Sequence, residues 1–182
     1  MSNSSKNLVI DACVGRSMGK EETTYSTAIN CREFLLAIRD HGHCIVITPE
    51  IRQEWEKHCK SETILEWKAE MVSRGKILPI NPKDYQEVWD AIATTADNEG
   101  HERNMAKDFR LLKAALETDK TIISLDEKSR RSFANASKKA QEIREIVWVN
   151  PDRIEKEQPI AWLNNGAEFE SDRILASFRI QD

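Results

Sequence analysis

The sequence predicts an α/β domain with three layers, a mainly parallel central sheet of four to five strands between helices, and a short C-terminal helical extension. Three observations carry that expectation. Short continuous apolar runs recur along the chain, as in strands covered on both faces. Between them lie stretches with apolar residues at helical spacing. Two of the runs stop abruptly at an aspartate, and in an open parallel sheet the ends of the strands are where ligands bind.

The first run, Leu8-Val9-Ile10, lies in a strand expected over Asn7 to Val14, interrupted by Asp11. A polar loop, Gly15 to Thr24, precedes a helix over Ser26 to Asp40, where Ala28, Ile29, Phe34, Leu35 and Ile38 mark one face and His41-Gly42 closes it. Cys44 to Thr48 is the second strand. Pro49 suits the first position of the helix that follows, which carries Glu50, Glu54 and Trp55. Glu62 to Arg74 is helical and ends at Gly75. Ile77-Leu78-Pro79-Ile80 contains a proline and so belongs at a sheet edge or in an extended connection. A helix is expected over Asp84 to Ala96, a break at Asp97-Asn98-Glu99-Gly100, and another helix over Asn104 to Leu116. Thr121 to Leu125 is the third clear strand, Lys128 to Glu142 a basic helix, and Ile146 to Val149 a fourth strand stopped by Asn150-Pro151.

At 182 residues the chain suits one domain with a core of its own. Residues 1–150 form the expected body, and 151–182 an extension that packs on the body or on a partner. Hydrophobic residues at 40% and charged residues at 32% match a folded globular protein and exclude a disordered tail. The net charge of -4 excludes a surface coated in basic residues, so a polyanionic partner would need a local basic patch or a bound cation. Cys13, Cys31, Cys44 and Cys59 form no C-x-x-C pair and the start, Met1 to Asn7, is polar, so the cysteines read as reduced thiols of a cytoplasmic protein. No apolar run approaches the ~18 residues of a membrane span.

Four acids stand where chemistry would be placed. Asp11 is flanked by apolar residues on both sides, and a lone carboxylate buried there is costly unless paired or bound to metal; the competing role is a turn or cap acid. Asp126 ends Ile122-Ile123-Ser124-Leu125, with a helix N-cap as its rival role. Asp108 lies beside the stripe Phe109, Leu112, Ala115 and Leu116, with a first-turn acid held by the helix dipole as the alternative. In the helix after the second strand, Glu54 is preferred and Glu50 is the understudy.

These blocks, Val9-Ile10-Asp11-Ala12-Cys13, Thr48-Pro49-Glu50-Ile51-Arg52-Gln53-Glu54-Trp55 and Lys107 to Leu116 through Ile122-Ile123-Ser124-Leu125-Asp126, resemble the PIN-domain superfamily of metal-dependent nucleases. The resemblance runs over roughly Asn7 to Val149 in the order and spacing of elements. Glu62 to His101 carries no matching motif, and Arg110 departs from the polar residue usual in relatives. The resemblance implies a PIN-like fold and a metal-dependent endoribonuclease, with single-stranded DNA as a second candidate substrate and a 5' phosphate and 3' hydroxyl as products. It implies that Asp11, Glu54, Asp108 and Asp126 hold Mg2+ or Mn2+, hard cations that suit carboxylate oxygens. It also implies a toxin or antiphage effector, with an antitoxin or other regulatory protein, and a homo-oligomer, as candidate partners.

Substrate contacts are expected from Ser124 and from Arg130 and Arg131, within a basic run that includes Lys128, Lys138 and Lys139. An ordinary solvated helix is the rival role for that run. A zinc site at His41, His43, Cys44, His58 and Cys59 has poor ligand spacing. A receiver-type phosphoacceptor domain would need an acidic pair after the first strand and a lysine after the last, and has neither here. The remaining alternative is a catalytically inactive PIN-like module that binds RNA or a partner protein.

Overall fold

The computed structural model describes residues 5–20 and 22–178. Parts of the polar start and of the C-terminal extension, residues 1–4 and 179–182, lie outside the described residues, as does Glu21. Five parallel strands form one sheet: β1 (Asn7–Ile10), β2 (Cys44–Ile47), β3 (Ile77–Pro79), β4 (Thr121–Ile123) and β5 (Val147–Val149), in the order β3-β2-β1-β4-β5. Helices flank the sheet, which makes a three-layer α/β/α domain with the strand count at the upper end of the expected range.

Leu8, Val9 and Ile10, like Val147, Trp148 and Val149, are buried, as strands covered on both faces require. Pro79, which lacks an N–H to donate, sits in the edge strand β3, where that loss is tolerated. From β1 the chain moves outward through β2 and β3, then returns to lay β4 on the other side of β1. The strand order therefore reverses between β1 and β4, paired through Val9 with Ile122 and Ile10 with Ile123. That reversal opens a crevice beyond their carboxyl ends.

The strand expected over Asn7 to Val14 is shorter. It ends at Ile10, and Ala12–Ser17 forms a short helix, α1, because Val14 and Met18 turn into the core and Gly15 lies against Trp55 and Cys59. A Cβ on Gly15 would stand 2.9 Å from the Cys59 thiol and 3.0 Å from the Trp55 ring. Helices α2 (Ser26–Asp40), α3 (Pro49–His58) and α4 (Glu62–Ser73) follow the expected pattern, and α5 (Gln86–Ala93) is shorter at both ends than the expected Asp84 to Ala96. Thr48 caps α3 by accepting from the Ile51 N–H at 3.1 Å, with Pro49 in the first turn.

The next helix, α6 (Glu99–Leu116), starts five residues earlier than the expected Asn104. Asp97-Asn98-Glu99-Gly100 is its start signal: the Asn98 side chain accepts from the His101 N–H at 2.9 Å. The basic helix α7 (Glu127–Ala136) is shorter than expected. The chain turns at Ser137 to Lys139, and a 3-10 turn at Gln141–Ile143 buries Ile143 before β5. The extension contributes α8 (Ile154–Glu157), α9 (Pro159–Asn164) and a 3-10 turn at Leu175–Phe178; α9 packs on α2, and the 3-10 turn on α7. Among the described residues no helix is long and apolar enough to cross a membrane. All four cysteines are free.

Candidate functional site

The four acids fall into one connected set at the crevice. Asp11 follows β1, and its backbone N–H donates to the Ile123 carbonyl at 2.9 Å, which fixes it against the end of β4. Its carboxylate does not cap α1, so the turn-acid role has no support. The Oδ2 atom instead accepts from the Ser124 hydroxyl at 2.8 Å and from the Cys13 thiol at 3.1 Å. The Ser124 Oγ in turn accepts from the Asp126 N–H at 3.1 Å. Asp126 caps α7, its Oδ1 accepting from the Ser129 N–H at 2.8 Å, so its N-cap role is real. The Ser129 hydroxyl donates to Asp108 Oδ2 at 2.9 Å and ties the third acid to the second.

Asp108 is not a first-turn acid, because α6 begins nine residues before it; the dipole account of its position is thereby removed. Helix α6 packs on β1 and β4, which presents Asp108 to the crevice. Arg110 continues the set, with Nη1 3.7 Å from Asp108 Oδ1 and Nη2 3.9 Å from Glu54 Oε2, while its guanidinium also donates to the Lys107 carbonyl. Glu54 is paired with His58 at 3.3 Å. Glu50 is on Lys113 at 3.2 Å and is more exposed, so Glu54 is the acid connected to the others. Below Glu54, the Trp55 indole N–H donates to the Ile10 carbonyl at 3.0 Å, which anchors α3 to the residue before Asp11.

Asp108 is subject to burial first and to the charges of Asp11 and Asp126 after it. Burial raises the Asp108 carboxyl to about 6; the Ser129 hydroxyl opposes that shift, Asp11 adds to it, Arg110 opposes it, and Asp126 adds to it. Burial, and then the neighbouring Asp11 charge, push the Cys13 thiol far above its ordinary range, so it stays protonated and serves as a donor. Among the described residues no three Asp, Glu, His or Cys side chains already stand as a ligand set around one point. One oxygen each of Asp11, Asp126 and Asp108 is engaged by a serine, and the second oxygen of Asp108 lies 3.7 Å from Arg110.

A cleft of about 340 Å³ opens on Asp108 and Asp126, with Lys107, Lys128, Asn104 and His101 around it. It adjoins a second cleft of about 510 Å³ that shares His101, Asn104 and Lys128 and adds Arg131 and Asn135. His101 is positioned between them: its Nδ1 accepts from the Asp97 N–H at 3.1 Å, and its Nε2 is 2.8 Å from the Ser132 hydroxyl. Nδ1 also lies 3.2 Å from the Asp97 carboxylate, so Asp97 and Ser132 together fix the ring between the clefts. A further cavity of about 260 Å³, bordered by Lys6, Thr121 and Val147, lies at the amino ends of the strands, away from the acids.

Two of the expected substrate contacts need correction. Arg130 is 0% exposed: it pairs with Glu127 and with Glu157 at 2.8 Å, donates to the Trp148 carbonyl, and lies 4.2 Å over the Phe178 ring. The 3-10 turn of the extension covers this helix face, so Arg130 joins α7 to the extension and is not presented to a ligand. Ser124 is equally buried and bridges Asp11 and Asp126. Arg131 is exposed on the second cleft. Ser129, Cys13 and His101 were missed by sequence reasoning; the Asp126-x-x-Ser129 capping spacing was the one available signal. No family model matches the chain, and no curated protein matches it either.

Proposed function

We propose that this protein is a PIN-like, metal-dependent endoribonuclease whose acids Asp11, Glu54, Asp108 and Asp126 hold Mg2+ or Mn2+ and hydrolyse a phosphodiester bond. The observation that carries the reading is the unbroken series of contacts from Asp11 through Ser124, Asp126, Ser129, Asp108 and Arg110 to Glu54, at the point where the strand order reverses. The donor set fits the ion: hard carboxylate oxygens in excess of nearby cations, one of them held near 6 by burial and by its acidic neighbours. Bound there, such a cation would supply charge for a phosphate and lower the pKa of its water.

The chain's own groups do the rest. Ser124 and Ser129 hold three carboxylates in register, Glu54 borders the site from α3, and Trp55 fixes the spacing between α3 and the end of β1. Lys128 and Arg131 offer cations to the phosphates of a strand lying along the two clefts, supplementing a protein that is acidic overall. A toxin or antiphage role belongs to the same proposal, with an antitoxin or other regulatory protein covering the acids.

The test is cleavage of RNA and of single-stranded DNA with Mg2+ or Mn2+, comparing the parent with Asp11→Asn, Asp126→Asn, Glu54→Gln and Glu50→Gln. The first three should lose at least 100-fold in rate, on the order of removing one key electrostatic group, and Glu50→Gln should stay within about threefold. Unchanged cleavage in Asp11→Asn and Asp126→Asn would overturn the mechanism. Binding of RNA by the parent without metal-dependent cleavage would establish the inactive-module alternative.

A further inference from the structure

Arg110 is placed as no surface arginine would be. Its side chain is 14% exposed, and the guanidinium lies between two acids from different helices, 3.7 Å from Asp108 on α6 and 3.9 Å from Glu54 on α3. A second divalent ion on this side would have to be held by these same two carboxylates, where the guanidinium already stands. Charge leads to the same result. Without substrate, four carboxylates carry four negative charges; Arg110 and one divalent ion offset three of them, whereas Arg110 and two divalent ions exceed them and crowd three cations together.

We infer that Arg110 is a built-in cation occupying the place of a second metal between Glu54 and Asp108, so that the site takes one divalent ion, held toward Asp11 and Asp126. This rests on the metal-dependent reading proposed above and narrows it. Arg110 is a positioning residue that aligns Asp108 and Glu54, and its guanidinium fork suits two carboxylates at once.

The readout is ion stoichiometry, measured by Mn2+ titration calorimetry and by Mn2+ paramagnetic resonance on the whole chain. The parent should bind about one Mn2+, and Arg110→Met, which keeps the aliphatic stem, should bind about two, with exchange-coupled resonance lines from a close pair. Arg110→Gln should behave as Arg110→Met, and Arg110→Lys, which keeps the charge, as the parent. Thermal melts identify a variant that fails to fold, and the second neutral variant then supplies the comparison. Two bound ions in the parent, or one in a folded neutral variant, would overturn the inference while leaving the nuclease reading intact if cleavage depends on Asp11. An absence of Mn2+ binding by the parent would end both.

Discussion

Replacing Asp108 by asparagine should stabilise the protein while removing a ligand from its site. Burial lifts this carboxyl from the ordinary 3.8 to about 6, with Asp11 and Asp126 adding to the effect against Ser129 and Arg110. The folded chain therefore holds the Asp108 proton more tightly than the unfolded chain does, and that contribution to stability is complete below pH 3.8 and lost as pH rises through about 6. At about 1.4 kcal/mol per tenfold change in proton affinity, the gap corresponds to about 3 kcal/mol. With 24% of the side chain exposed, water screens part of it, which leaves roughly 1–3 kcal/mol at pH 8. Asparagine has nearly the same shape, carries no charge, and keeps an oxygen for the Ser129 hydroxyl. Urea unfolding of parent and Asp108→Asn without divalent ions should show the variant gaining this amount at pH 8 relative to pH 4, with the gain opening between those pKa values. Mg2+ should then stabilise the parent through binding to the folded state, and stabilise the variant, which keeps Asp11 and Asp126, less. An equal stability difference between the two proteins at both pH values would refute the account of Asp108 as a strained carboxylate.

Two further predictions concern the frame around the site. Arg130→Met should lower stability by about 2–4 kcal/mol, because Glu157, 10% exposed, would lose its closer cation and keep only Arg153 at 3.8 Å; Arg131→Ala on the adjacent exposed position should change it by less than about 0.5 kcal/mol. Urea titrations at pH 7 decide, and equal effects would show that the buried ion pair has been misjudged. Gly15→Ala should lower stability by roughly 1–3 kcal/mol, since its new methyl would meet the Cys59 thiol at 2.9 Å and the Trp55 ring at 3.0 Å. A melting temperature unchanged within error would mean that α1 shifts without resistance.

The central sheet was legible because its signal is compositional: Leu8-Val9-Ile10, Ile45-Val46-Ile47 and Val147-Trp148-Val149 have no polar residue to turn outward, which only strands covered on both faces tolerate. Asp11 and Asp126 were legible for the same reason, as charges that end such runs. The boundaries of α6 were not. Asp-Asn-Glu-Gly is as good a helix start as it is a break, and the choice depends on whether the Asn98 side chain turns back to the His101 N–H, a contact that residue types alone do not specify. Arg130 was misplaced for a related reason. Its charge reads as solvent-facing until the extension supplies Glu157 and Phe178, both more than 25 positions away, and no local pattern encodes a partner at that distance.

The cap at Asp126 and a metal-ligand role for Asp126 were set against each other by sequence reasoning, yet the cap uses one oxygen and does not exclude the role proposed for the other. One oxygen of Asp126 satisfies the first turn of α7, whose partial positive charge also favours the carboxylates gathered there. That arrangement fixes the direction of the second oxygen, as a ligand must be fixed, and through Ser129 it sets the position of Asp108 as well. The helix terminus and two serine hydroxyls do not cancel the cost of burying Asp108, to which the charges of Asp11 and Asp126 add, because Asp108 still stands near 6. The cost of a buried charge beside other acids, which Asp108→Asn would relieve by removing the charge, is one that a cation would offset by pairing with it. If that coupling holds, the parent and Asp108→Asn should converge in stability at pH 8 as Mg2+ is raised.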